Sequence, residues 1–341
     1  MWNRIFAGVA LFLTAGALTC RDSDSSASDG TLSVAFYNLD NLFDTLDDTS
    51  HHDDDFTPGG RYKWTDDRYA RKLVNMEKVI SGLAGGYAPD ILGVCELESR
   101  KALEDLLSTG KLNGHYGIVH YDSPDERGID VALAYNASKL SVIDSKPYRV
   151  KLSKDLRDKT RDILWVKILS KTSGDTLQLM VCHFPSRREG KAETQQDRVD
   201  AASQCRAILR EQCNPVSQNL VIMGDFNDEP VDHSVSGILG AGKEMSDTLI
   251  NLMWPFREQG RGSYKFRGRM EMLDQFIISR ALVDKKGAEY VDESVDILDA
   301  AWLTQTGKYK GYPLRTFGGN KWLNGYSDHY PVFMNIRLNS L

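Results

Sequence analysis

The strongest constraint on the fold is a repeated pattern: an apolar run of strand length that stops at a titratable or amide side chain. The sharpest case is Val221-Ile222-Met223-Gly224-Asp225-Phe226-Asn227-Asp228-Glu229-Pro230. Its apolar part reads as a buried strand that Pro230 closes. Side chains alternate along a strand, so Asp225 and Asn227 project to one face. A carboxylate beside a carboxamide suits work on phosphate. The carboxylate orients or deprotonates a water, and the amide donates to a phosphoryl oxygen. Taken alone, the stretch reads equally well as a strand followed by an Asp/Asn turn.

The pattern recurs along the chain. Residues 32–38 alternate and end at Asn38, and residues 91–95 form a buried run that delivers Glu96 and then Glu98. A charge at the end of so apolar a run must be solvated, paired or bound to metal. Residues 116–121 and 129–135 read as strands around a loop that carries Arg127, with Tyr121 and Asp130 at its two ends. Residues 164–169 and 177–182 form an antiparallel pair. The second of these runs into His183 and a basic turn with Arg187 and Arg188. Residues 270–279 read as one strand holding Asp274 in an apolar setting, and Asp328-His329 precede a last strand at 330–336. Basic residues Arg257, Arg261, Lys265, Arg267 and Arg269 cluster before Asp274.

Between these strands, the spacing of Leu73, Met76, Val79, Ile80 and Leu83 predicts a helix over 66–84, ended by Gly85-Gly86. A short helix is predicted over 101–107, and a longer one over 192–213 with Val199, Ala202, Ile208 and Leu209 inward. Residues 44–56 carry Asp47, Asp48, His51, His52, Asp53, Asp54 and Asp55, a run that reads as a flexible solvated loop. Arg61, Lys63 and Trp64 are placed to line a groove.

A chain of 341 residues allows two domains or one large α/β domain, and 41% apolar residues suffice for a sizeable core. The net charge of −6 rules out a global basic field, so any polyanion site must be a local basic patch or a metal. Residues 1–20 read as a signal segment whose apolar run is too short to span a bilayer. It ends at Cys20, so it resembles a bacterial lipoprotein signal and implies a membrane anchor through lipid on Cys20. Residues 21–30 make a polar tether, and their acidic side chains resemble surface-export signals of outer-membrane lipoproteins. Residues 31–341 are then one catalytic domain. Cys95 and Cys182 lie in apolar runs and read as core residues, while Cys205 and Cys213 are too far apart on one helix to bridge.

Six strands thus end or begin at Asn38, Glu96, His183, Asp225 with Asn227, Asp274, and Asp328 with His329. This set, in this order over about residues 31–338, resembles the endonuclease/exonuclease/phosphatase superfamily, deoxyribonuclease I-like. Gly-Asp-Phe-Asn and Ser-Asp-His-Tyr-Pro-Val are its specific parts, supported by Leu-Asp-Gln-Phe-Ile-Ile-Ser. The resemblance implies a four-layer α/β/β/α sandwich of two mainly antiparallel sheets. It implies Mg²⁺ or Mn²⁺ on Asn38 and Glu96, with Asp328 as a further ligand; oxygen ligands suit a hard cation. Asp225 would activate water, Asn227 would bind phosphate, and His329 would be polarised by Asp274 as base or phosphate ligand. His183 would stabilise the transition state or assist the leaving oxygen. Arg127, Arg187 and Tyr121 are the candidates for substrate binding. The sequence departs from the family at Cys95, where Gln is common, and the family's middle-strand tyrosine or carboxylate has three stand-ins, Tyr121, Arg127 and Asp130. The implied activity is metal-dependent phosphoester hydrolysis, with an endonuclease or phosphodiesterase on nucleic acid first. A phosphatase or phospholipase C-type enzyme on inositol phosphates, sphingomyelin or nucleotides comes second, and a decayed binding lipoprotein last. A monomer is expected.

Overall fold

The computed structural model describes residues 30–338 apart from His115 and Asp158. The signal segment, Cys20 and residues 21–29 of the tether lie outside the described residues. In chain order the first half gives β1 (Thr31–Leu42), α1 (Asp66–Ile80), β2 (Ile91–Leu97), α2 (Arg100–Leu107), β3 (Tyr116–His120), β4 (Asp130–Asn136), β5 (Leu140–Tyr148), β6 (Ile163–Ser170) and β7 (Thr176–His183). Then come α3 (Gln195–Gln212), β8 (Leu220–Asp225), β9 (Ala241–Gly242), β10 (Leu249–Asn251) and α4 (Trp254–Glu258). The remainder is the hairpin β11 (Tyr264–Phe266) and β12 (Arg269–Glu271), β13 (Asp274–Ser279), β14 (Glu289–Tyr290), β15 (Asp296–Ile297), the hairpin β16 (Phe317–Gly318) and β17 (Lys321–Trp322), and β18 (Val332–Arg337).

Two large sheets form. One runs β14-β18-β1-β2-β4-β3, with β15 also on β18; the other runs β5-β6-β7-β8-β13-β10-β9. Within them only β1–β2, β7–β8 and β9–β10 pair in parallel. The sheets stack face to face because their strands alternate. Val221 and Met223 of β8 and Leu179 and Val181 of β7 pack into the core shared with the first sheet. Ile222, Met180 and Cys182 face the other way, against Ala202, Cys205 and Ile208 of α3. Each such buried side chain is worth about 1.5–3 kcal/mol. The sheets approach closely at Gly93, where an added Cβ would lie 2.6 Å from Met223 Sδ. On the outer face of the first sheet, α1 and α2 bury Met76, Val79, Leu103 and Leu106. The four-layer mainly antiparallel sandwich expected from the sequence is the fold observed. Among the described residues, no helix is long and apolar enough to cross a membrane.

Several local expectations change. Residues 270–279 are two strands, because Ser263 Oγ accepts from the amides of Leu273 and Asp274 and turns the chain between β12 and β13. On α3 Arg198 is buried, its Nε 2.8 Å from Asp228 Oδ1, while Val199 is only half-buried. Trp64 lines no groove: it is fully buried against Phe317 and Trp322, and its indole donates to the Phe43 carbonyl. The 44–56 segment is pinned by Phe56, whose ring stacks 4.4 Å from Phe43. β5 has no apolar pattern that would announce it; it is an edge strand, the place where Pro147 is tolerated. The four described cysteines are free and buried.

Candidate active site

Strand alternation carries the key side chains to one end of the inter-sheet face. Asp225 continues the Val221, Met223 series, and His183 continues Leu179, Val181. The ladders then align them, with His183 opposite Asp225 and Asp225 opposite Asp274. Asn38 continues the series of Val34 and Phe36 on β1. Glu96 needs a different device. Simple alternation would turn it away from the face Cys95 occupies, but β2 bulges between Cys95 and Leu97, and Glu96 has φ of 57°. A bulge of this kind re-aims a side chain. Positive φ at Asp40, Asn41 and Asn227 also surrounds the site. Strained non-glycine backbone of this kind gathers at functional sites.

The resulting contacts are short and buried. His329 Nδ1 lies 2.6 Å from Asp274 Oδ2, and its Nε2 lies 3.8 Å from Asp225 Oδ2. His183 Nε2 is 3.7 Å from Asp225 Oδ2 and 3.8 Å from Glu96 Oε1. Asn38 Nδ2 donates to Asp225 Oδ2 at 3.3 Å, and the Asn227 amide donates to Asp225 Oδ1 at 2.9 Å. Ser327 joins the set, donating to the Asn38 carbonyl while its Oγ accepts from the His329 amide.

Burial and neighbours set the protonation states. Burial pushes Asp225 up to about 7, with His329 opposing and Asp274 adding repulsion. Burial alone would depress His329, but Asp274 and Asp225 outweigh it and hold the ring well above its ordinary value. Burial, then Arg161 and Arg127, push His183 well below, so its ring is neutral. Burial also raises Asp40 to about 6, helped by Asp328 and opposed by Arg315 and Lys72. For Asp328, burial acts upward, yet Arg315 and His329 prevail and its pKa is lowered.

The proposed metal ligands can be tested against these contacts. Glu96 Oε2 accepts from the Asn41 amide, while Oε1 faces His183. Asn38 Oδ1 accepts from the Asp40 amide and keeps a second lone pair. Asp328 is engaged with Arg315 at 2.9 Å. The oxygen donors of Asn38 and Glu96 amid raised carboxylates fit a hard divalent cation. A second grouping brings ligand atoms of Asp225, Asp274 and His329 within 4.8 Å of one another, with His329 Nδ1 and Asp274 Oδ2 already bonded to each other. His120, Asp122 and Asp130 form another such group, outside the site.

The remaining expected residues lie around this centre. Arg127 stands near His183, with its Nε 3.5 Å from Asp125. Tyr121 is turned outward, its hydroxyl on Ser145, and Arg187 is paired with Glu271 at 2.6 Å. Asp130 is buried and paired with His120 at 2.8 Å. Arg161, which the sequence reading did not single out, is central. It is buried and donates to Asp125 Oδ2 at 2.9 Å and to the Phe184 carbonyl at 2.6 Å, the same carbonyl that accepts from Asn227 Nδ2. Lys72, an apparent break in the apolar face of α1, is fully buried and donates to Thr316 Oγ1 and the Tyr326 carbonyl. Burial lowers its pKa to about 8.

Two rims flank the centre. On the Glu96 side, a cavity of about 400 Å³ is lined by Asp44, Asp48, Asp53, Glu98, Asp130 and Arg127. On the His329 side, a cavity of about 190 Å³ is lined by Tyr264, Lys265, Phe266, Tyr312, Arg315 and Asp328.

Comparison with solved structures gives the same architecture. An endonuclease/exonuclease/phosphatase family protein from Bacteroides thetaiotaomicron is 18% identical, with a TM-score of 0.57 over 91% of this chain and 98% of that one. A Bacteroides thetaiotaomicron mannosyl-6-phosphatase is 15% identical, with a TM-score of 0.56 over 89% and 99%. A humanized D. rerio TDP2 is 14% identical, with a TM-score of 0.56 over 90% and 99%. At these identities the likeness is one of fold. No curated protein matches the chain. The model of the Endonuclease/Exonuclease/phosphatase family matches residues 33–338, nearly the whole of the described chain, and the protein belongs to that family.

Proposed function

We propose that the chain is a metal-dependent phosphoester hydrolase and, within that class, a phosphodiesterase that cleaves nucleic acid. The observation that carries this reading is the convergence of a raised Asp225, a protonated His329 and a neutral His183 within 4 Å contacts, brought together from both sheets. Asp225 accepts a proton from water, whose oxygen forms a bond to phosphorus as the ester P–O bond breaks. The proton ends on the leaving oxygen. The His329 imidazolium, fixed by Asp274, offsets negative charge on the phosphoryl oxygens. The neutral His183 ring and the Asn227 carboxamide donate hydrogen bonds to them. Asn38 and Glu96 would hold the cation, with Asp328 Oδ1 able to join while Oδ2 stays on Arg315. Bound there, Mg²⁺ or Mn²⁺ would neutralise charge on the phosphoryl oxygens.

The full chain should be incubated with supercoiled DNA, single-stranded RNA and small phosphoesters, in Mg²⁺ or in EDTA. Cleavage of nucleic acid that both EDTA and His329→Ala abolish is the expected result. No turnover of any ester by a folded protein that still binds Mg²⁺ would overturn the reading and leave a binding lipoprotein.

The acidic rim favours a second reading, in which the substrate is a small phosphoester. Its carboxylates repel a long polyanion but accept hydrogen bonds from hydroxyl groups. A mannosyl-6-phosphatase among the neighbours of this fold fits that alternative. Preferential release of phosphate from sugar or inositol phosphates would select it. For location we propose export, a lipid anchor on Cys20 in the outer membrane and a monomeric catalytic domain. Cys20→Ala should move the protein from the membrane fraction to the soluble one; unchanged fractionation would discard the anchor.

A further inference from the structure

The rim on the His329 side holds a built element that the hydrolysis chemistry does not use. The β11–β12 hairpin turns through Arg267 and Gly268, whose φ values of 47° and 88° mark a tight two-residue connection. Its base is clamped from several sides. The Tyr264 ring lies 4.8 Å from the His329 ring, tilted by 33°, and the Tyr330 amide donates to the Ser263 carbonyl. On the other strand, Glu271 accepts from Arg187 at 2.6 Å, and Arg269 donates to Glu229 at 2.9 Å. Only the tip projects, with Phe266 49% exposed.

Between this hairpin and Tyr312 lies the cavity of about 190 Å³. Its chemistry is aromatic and cationic together. Lys265 Nζ stands 5.1 Å over the Tyr312 ring, and the Arg267 guanidinium stands 5.2 Å over Phe266. Arg315 and Asp328 cancel each other's charge at 2.9 Å. Among the described residues, neither Lys265 nor Arg267 has a carboxylate partner, so the tip carries net positive charge next to the reacting centre.

We propose that this cavity receives one unpaired nucleobase beside the scissile phosphate, with Lys265 and Arg267 meeting the next phosphate along the strand. This rests on the nuclease reading and adds a substrate preference, single strand over duplex. Aromatic rings stack on the face of any base, so recognition is tolerant of sequence. The cations supply the salt-dependent hold on the backbone. A base inside a duplex already has both faces stacked, and must leave the helix to enter the cavity. A single strand avoids that loss.

The test uses the full chain in Mg²⁺ with a single-stranded oligonucleotide, its duplex, and the same single strand with base-free spacers scanned through it. Wild type should cleave the single strand at least about ten-fold more efficiently than the duplex, and a spacer beside the cut should raise KM. Phe266→Ala and Lys265→Ala should each raise KM on the single strand about ten-fold with kcat within two-fold, since both side chains belong to the hairpin and not to the reacting centre. Equal cleavage of single strand and duplex, or unchanged KM in both variants, overturns the inference while leaving the nuclease reading intact. Turnover of sugar or inositol phosphates with no cleavage of any nucleic acid overturns both together.

Discussion

The two rims of the site are opposite in charge and differently held. The His329 rim is a hairpin fixed by ring packing and by ion pairs to two separate loops. The Glu96 rim is a loop whose backbone folds onto its own carboxylates. The Asp44 amide donates to Glu98 at 2.7 Å, and the Asp48 amide donates to Asp53 at 3.0 Å. One rim offers cations over aromatic faces; the other offers carboxylates with Arg127 as its main cation. An anionic polymer is drawn to the first and repelled by the second, so under the proposed nuclease reading the substrate would bind asymmetrically about the scissile bond.

The largest effect should come from the centre common to both rims. Asp225→Asn lowers kcat about a thousand-fold with folding retained, checked by steady-state kinetics and circular dichroism. A loss below ten-fold would show that both rims serve a different reacting group. Next, Glu96→Gln should raise the Mg²⁺ concentration for half-maximal activity about ten-fold or more, while a titration of Mg²⁺ against thermal stability shows the same weakening. Equal metal response in the variant would move the cation away from the acidic rim.

The third prediction concerns pH. A carboxyl group whose folded pKa is raised holds a proton that the unfolded chain has lost, so stability falls as pH rises between the two values. Asp225 is raised to about 7, and Glu98 to about 8, the latter chiefly by burial. His329, also raised, loses its contribution in the same direction. The lowered His183 works the other way, but only below its ordinary value of 6.5. Metal-free protein should therefore lose Tm between pH 6.5 and 8, and Mg²⁺ should restore more at pH 8 than at pH 6.5. Glu98→Gln should flatten part of this slope without touching the basic rim. The smallest effect is expected at the edge of the acidic rim. Asp47→Asn should lower KM for nucleic acid about two-fold at low salt and not at high salt, as screening requires.

Much of the site was legible before any coordinates. Asp225, Asn227, His183, Asp274 and His329 stand beside apolar runs, and a polar group in that setting is conspicuous because its burial must be compensated. Arg161 was not legible. It lies at the edge of an apolar strand in a polar stretch of sequence, and nothing local shows that Asp125 and the Phe184 carbonyl will converge on it. Arg198 and Lys72 were hidden for the same reason, as charges on helices whose partners come from distant segments. Tyr121 and Arg187 carried suitable chemistry, yet their neighbours Ser145 and Glu271 claim them.

The sequence by itself determined the main core strands and the titratable groups at their ends, because alternation and burial are local properties of a strand, while the two-sheet architecture followed from the resemblance to the family. Tertiary structure alone decided three things. The bulge at Glu96 turned a carboxylate into the site that simple alternation would have pointed away. The packing of His329 against Asp274 and Asp225 made it a cation while His183, buried beside Arg161, stayed neutral. The clamping of the β11–β12 hairpin set a basic rim opposite an acidic one. Each depends on distances between residues far apart in the chain, and electrostatic interaction in a buried site is governed by those distances and by the exclusion of water.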